Sequence, residues 1–151
     1  MTTEYTHTFF GVKVTKDQQA ELRQAWENRK ELEEKKCKQD IKHLSRNLSD
    51  VTIGNMIVDV VCRTMELDID RIKDKTRRHR YSLGRKMCSY FMKEYTNMIM
   101  SEIAILAGRT SIDHAMTDYD NRKVNDAISI KDMEITKWVR LINDELLKEL
   151  Q

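Results

Sequence analysis

Residues 73–86, KDKTRRHRYSLGRK, lead without a break into residues 83–95, LGRKMCSYFMKEY, and the fold turns on how this junction is read. The first part is cationic. Between Arg71 and Lys86 stand eight Lys or Arg against one Asp, a local charge of +7, so the rest of the chain carries about −5 of a formal net +2. The second part spaces Leu83, Met87, Tyr90, Phe91 and Tyr95 by one to four residues, a pattern that gathers side chains on one face of a helix. Cations collected immediately before an amphipathic helix are a property of partners rather than of fold, and a polyanion is their complement.

Working outward, a chain of 151 residues without Pro and with four Gly seldom interrupts a helix, and its wealth of Glu, Lys, Leu, Met, Arg and Ala makes it all-α. Ile53, Met56, Ile57, Val60, Val61 and Met65 form the widest apolar stripe and predict a core helix, followed by a short helix capped by Asp68. Upstream, Thr15 and Gln18 make a capping box for a helix of about 33 residues, roughly 50 Å, reaching Leu48. Its apolar positions (Leu22, Ala25, Trp26, Leu32, Cys37, Ile41, Leu44, Leu48) are thinned by a polar middle, as in an arm that packs on a partner or on its own copy. Downstream, Ser101 is a cap for SEIAILA, Gly108 suits the left-handed residue that ends it, and Thr110 with Asp113 caps the helix beyond. Two short helices joined in this way make a helix-turn-helix. Ser129 and Asp132 open a final helix with Ile135, Trp138, Val139, Ile142, Leu146 and Leu150 on one broad face.

The expected domains are therefore a flexible N-terminus over 1–14, where Phe9, Phe10 and Val12 dock on the body, and an oligomerisation or partner arm over 15–48. A helix-turn-helix domain follows over 49–128, then a C-terminal helix over 129–151 that packs on the bundle or on a partner. Cys37, Cys62 and Cys88 are far apart and form no C-x-x-C pair, which argues against a zinc site or disulfide framework and fits a reducing cytoplasm. No apolar run approaches the roughly 20 residues of a membrane span, and the N-terminus lacks the apolar core of a signal peptide. No paired carboxylates, metal-ligand spacing or nucleophile and base arrangement is evident, so neither catalysis nor a cofactor or metal is expected.

The sequence IVDVVCRTMELDIDRIKDKTRRHRYSLGRKMCSYFMKEYTNMIMSEIAILAGR, residues 57–109, resembles the C-terminal DNA-binding domain of the bacterial replication initiator DnaA. The resemblance covers about residues 53–122 and is carried by the basic loop, by Lys93, Glu94, Thr96 and Asn97 in a K-E-x-T-N pattern, and by S-E-I-A, close to the family's P-E-I-G. It implies a helix-turn-helix bundle of the DnaA C-terminal and Trp-repressor-like kind, with long helices on both sides. It also implies that Arg77 matches the arginine sent into the minor groove, that Arg85 matches part of an Arg-Pro-Arg-Gln motif, and that Lys93 matches a lysine on DNA. The family's Gly-Arg-Asp-His-Thr-Thr is replaced by Gly108-Arg109-Thr110-Ser111-Ile112-Asp113-His114, so its specific DNA site does not carry over. Nor is there a phosphate-binding G-x-x-x-x-G-K-[ST] loop for ATPase chemistry.

The same placement makes physical sense for double-stranded DNA. Arginines on a loop fit a narrow, negative minor groove, while the N-terminal residues of a presented helix meet major-groove edges. The candidate contacts are Lys75, Arg77, Arg78, Arg80, Arg85, Lys86 and Lys93 from the basic segment and its helix, and Arg109, Thr110, Ser111, Asp113 and His114 from the turn and reading helix. Asp113 equally serves as a cap, and His114 equally suits a partly buried, satisfied side chain. Replication control or transcription regulation, by a homodimer or with a helical protein partner, is the expected task. The alternative is a helical adaptor that binds protein alone.

Overall fold

The structure, a computed structural model, describes residues 7–9, 11–73, 78–108 and 114–151; the side chains of 7–9, 114 and 115 lie outside that description. The chain divides into two compact units, Met1–Lys36 and Cys37–Gln151. In the first, strands β1 (His7–Phe9) and β2 (Val12–Val14) pair antiparallel, His7 opposite Val14 and Phe9 opposite Val12. A segment expected to be flexible thus contains a hairpin. Thr, Phe and Val favour extended backbone, and Gly11, at φ +78°, takes the turn conformation that a side chain disfavours. Val12 is 64% exposed and Val14 is the buried residue of this strand, while the side chain of Phe9 and the whole of Phe10, expected to dock with Val12, lie outside the described residues.

Helix α1 (Lys16–Leu44) opens on the expected capping box: the Gln18 amide donates to the Thr15 hydroxyl at 3.2 Å, and the Thr15 amide donates to the Gln18 side-chain oxygen at 3.1 Å. It stops four residues short of Leu48. Arg46 and Leu48 donate to the carbonyls of His43 and Ser45, three residues back, and the Ser45 hydroxyl turns onto the Lys42 carbonyl. Ser and Asn offer the backbone such local alternatives, which is why they end helices.

The second unit is a helical bundle built around α2 (Asp50–Thr64), with α3 (Ile69–Ile72), α4 (His79–Tyr95), α5 (Met100–Leu106), α6 (His114–Ser129) and α7 (Met133–Leu150). The fold is all-α, as the composition requires. Helix α2 packs on α4 and α7, α4 packs on α6, and α5 packs on α6. Ile57, Val60 and Val61 from α2, Met87, Phe91 and Met92 from α4, Ile103 from α5, and Ile142 and Leu146 from α7 are all sealed from solvent. Phe91 meets the edge of Tyr90 at 5.2 Å between ring centroids, and the Tyr95 hydroxyl donates to Asn143 Oδ1 at 2.6 Å, tying α4 to α7.

Caps place the boundaries. Ser49 accepts from the Thr52 amide and Asp68 from the Asp70 amide. Three expected starts are revised. Helix α4 begins at His79, upstream of the apolar run that opens at Leu83, so the last basic residues are helical. Helix α5 begins before Ser101, with the Glu102 carboxylate accepting from the Ile99 amide at 3.0 Å. Helix α7 is opened by Asp132 alone, which accepts from the Ile135 amide; Ser129 belongs to the end of α6, where its hydroxyl donates to the Asp126 carbonyl.

Cys62 and Cys88 are buried, and Cys37 is half-buried. Burial, with Asp59 and Asp68 adding, pushes the Cys62 thiol up to about 11, and burial raises Cys88 further still. The folded chain therefore keeps these protons to higher pH than the unfolded chain, whose thiols have an ordinary value of 9.0. Stability is expected to be intact below that value and to fall as the pH rises through about 11. Urea unfolding midpoints measured across that window check it, and a midpoint flat from neutral to strongly alkaline pH would contradict it.

Candidate nucleic-acid interface

The described cations of the basic segment are positioned by the end of α3 and the first turns of α4. Lys73 is the exposed C-cap of α3, and Arg78 is the exposed N-cap of α4, with extended backbone (φ −55°, ψ 134°) and no side-chain cap bond. From α4, Arg80 reaches back to donate through Nη2 to the Met65 carbonyl at 2.6 Å, and the Tyr81 hydroxyl accepts from the Asp68 amide at 3.2 Å. The first turn of α4 therefore grips the connection between α2 and α3. His79, Lys86 and Lys93 recur every seven residues, about two helical turns or roughly 10 Å apart, and so share one stripe of α4. His79 and Lys93 are exposed, Lys86 is half-exposed, and His79 Nε2 lies 3.6 Å from Glu134 Oε1.

Arg85 departs from the expected role. It is only 6% exposed, and its guanidinium donates through Nη1 to the Ile72 carbonyl at 3.2 Å. A side chain committed to a buried carbonyl is not presented to a phosphate. The K-E-x-T-N pattern is also partly structural. Lys93 faces solvent, Glu94 pairs with Lys42 at 3.5 Å, and Thr96 ends α4 with its hydroxyl on the Met92 carbonyl.

Lys75, Arg77, Arg109, Thr110, Ser111 and Asp113 lie outside the described residues, as do the caps expected at Thr110 and Asp113 and the side chain of His114, the first residue of α6. The residues that border these segments are informative. Gly108 ends α5 at φ +81°, and a methyl group placed on it would come within 2.5 Å of the Ile72 carbonyl oxygen and 3.2 Å of the Lys73 Cα. The end of α5 and the end of α3 are thus in backbone contact, so the basic segment and the turn leading to α6 depart from one point. Gly84 makes a similar close approach, with a methyl group there falling 2.5 Å from Leu67 Cδ1. One sequence read alone identifies Gly108 as a helix-ending glycine, but this long-range contact leaves no mark in local spacing.

Tyr90 is held up to about 12 by burial beside Glu94. Among the described residues no group of three or more His, Cys, Asp or Glu side chains is arranged to hold a metal ion, and no helix is long and apolar enough to cross a membrane.

A buried helical core and the consecutive, packed helices α5 and α6, with a left-handed glycine ending α5, define a helix-turn-helix protein. Residues 55–119 match the family model described as the bacterial dnaA protein helix-turn-helix, inside the span that the sequence resemblance covers. A curated relative, the chromosomal replication initiator protein DnaA of Gloeothece citriformis (strain PCC 7424), is 23% identical over 91 residues. That alignment takes in 60% of this chain and 19% of the relative, so the chain is similar to only a small part of that initiator. No solved structure gives a significant match.

Proposed function

We propose that the chain binds double-stranded DNA through the basic segment around residues 73–86 and the α5–α6 pair, as a non-enzymatic protein of replication control or transcription regulation. The observation that carries the reading is the contact of Gly108 with Ile72 and Lys73, which gives the cationic segment and the helix-turn-helix a common point of departure. A cationic loop and a reading helix serve one duplex only if they are presented together. Arg77, Arg78 and Arg80 would supply minor-groove and phosphate contacts, with Lys75, Lys86 and Lys93 on the backbone. Arg109, Thr110, Ser111, Asp113 and His114 would meet base edges or phosphates. Phosphate contacts supply affinity, and base contacts supply preference.

Titration of labelled duplex at rising salt tests the proposal. With four or five phosphates neutralised, affinity falls by roughly two to three decades between 50 and 200 mM salt. Salt-independent binding, or none, would remove it. Selection from random duplexes then separates a regulator, which enriches a sequence, from an architectural protein, which does not.

A second reading, a helical adaptor or self-associating arm, is favoured by one observation. Leu22, Trp26 and Leu32 on α1 are 39%, 53% and 66% exposed, with Lys30 resting 4.1 Å above the Trp26 ring. Apolar side chains this open on a charged helix suit a partner helix. Sedimentation of the wild-type chain beside a Trp26→Ala, Leu32→Ala variant reports on it, a concentration-dependent mass that the variant loses being the supporting result.

A further inference from the structure

Helix α3 is one turn long, so its last carbonyls have no acceptor role within the helix and must be satisfied from elsewhere. The carbonyl of Ile72 is the critical one. Ile72 is fully buried, and the backbone beyond it leads directly into the basic segment. Two elements converge on this oxygen. Helix α4 supplies the guanidinium of Arg85, and the end of α5 supplies Gly108, which has no side chain to hold the backbones apart. A charged donor is the strongest partner that a buried carbonyl can have, and a guanidinium also fixes the direction of approach.

Arg80 and Tyr81 act on the same connection, at the Met65 carbonyl and the Asp68 amide. Arg80 is exposed and Tyr81 half-buried, whereas Arg85 is almost wholly withdrawn from solvent. To touch a phosphate Arg85 would have to abandon the Ile72 carbonyl, leaving that oxygen buried and its own pocket open.

We propose that Arg85 is a positioning residue: by capping the Ile72 carbonyl it fixes the point at which the basic segment leaves α3 and keeps that point against the Gly108 turn, without itself contacting DNA. This rests on the DNA-binding reading above, and it changes what the basic residues are for. Arg78 delivers charge to the duplex, while Arg85 aims the segment that delivers it.

The test compares the full-length wild-type chain with Arg85→Met, Arg85→Lys and Arg78→Ala in duplex binding by fluorescence anisotropy over a salt series, using a duplex recovered from random selection. Arg85→Met and Arg85→Lys are both expected to weaken binding about tenfold with the salt slope unchanged, because lysine retains the charge but not the fork. Arg78→Ala is expected to reduce the slope by about 0.9, the loss of one phosphate contact. Treatment of the free wild-type chain with phenylglyoxal, followed by peptide mass mapping, is expected to modify Arg78 and spare Arg85, a readout independent of whether any variant folds. The inference is overturned if Arg85→Lys binds like wild type while Arg85→Met loses slope, or if Arg85 is modified in the free chain and protected by duplex. Failure of the wild-type chain to bind any duplex is a different result, visible before a variant is made, and it overturns the DNA reading itself.

Discussion

Changing Arg77, Arg78 and Arg80 together to alanine is expected to lower duplex affinity on the order of 100-fold at physiological salt and to flatten the salt dependence by up to about three phosphate equivalents. The expectation rests on the concentration of +7 between Arg71 and Lys86 in a chain whose remaining residues are net acidic. Without that cluster the rest of the protein would repel a polyanion. Arg78 stands exposed at the start of α4, and Arg80 divides its role, because its Nη2 also holds the Met65 carbonyl. The triple variant should therefore be run beside Arg77→Ala, Arg78→Ala, which leaves the Met65 contact in place, with thermal unfolding recorded for both. If affinity is unchanged in folded protein, the adaptor reading takes precedence.

Substituting Gly108 by alanine is expected to destabilise the second unit by about 2–4 kcal/mol. Of this, about 1–2 comes from a side chain in left-handed backbone and the remainder from overpacking against a neighbour that cannot yield. The neighbour is backbone: the Ile72 carbonyl oxygen would lie 2.5 Å from the added carbon, with the Ile72 carbon at 3.0 Å. A flexible side chain could swing aside; a carbonyl already engaged by Arg85 cannot do so without breaking that bond. The loss should register as a fall in melting temperature of roughly 5–15 °C for a chain of this size. Because the displaced carbonyl belongs to the exit of the basic segment, duplex affinity measured well below the melting temperature should fall as well. A variant as stable as wild type would show that α3 and α5 are not in register as described.

The sequence carried the helices well. The α2 stripe, the aromatic face of α4 and the caps at Thr15, Asp68, Asp132 and Gly108 are local patterns with local causes, and each is present in the fold. Boundaries were less legible where two local signals compete. Ser101 has a capping side chain, but Glu102 satisfies the Ile99 amide and draws the start of α5 back to Met100. Leu44 and Leu48 continue the α1 spacing, yet Ser45 bonds to the preceding turn and ends the helix between them. In the candidate interface, net charge singled out the cationic segment but gave Arg85 the same standing as Arg78, although Arg85 is buried and Arg78 exposed. Spacing counts charges and does not report which of them a distant carbonyl has withdrawn from water.

The reach of α6 and α7 has a practical side. The family-model match stops at residue 119, within α6, which continues to Ser129, and before α7, whose Ile142 and Leu146 complete the core and whose Asn143 receives the Tyr95 hydroxyl. An expression fragment trimmed to the similarity limits would cut a helix in half and strip the lid from the α2 and α4 side chains, so insolubility of such a fragment would say nothing about the parent.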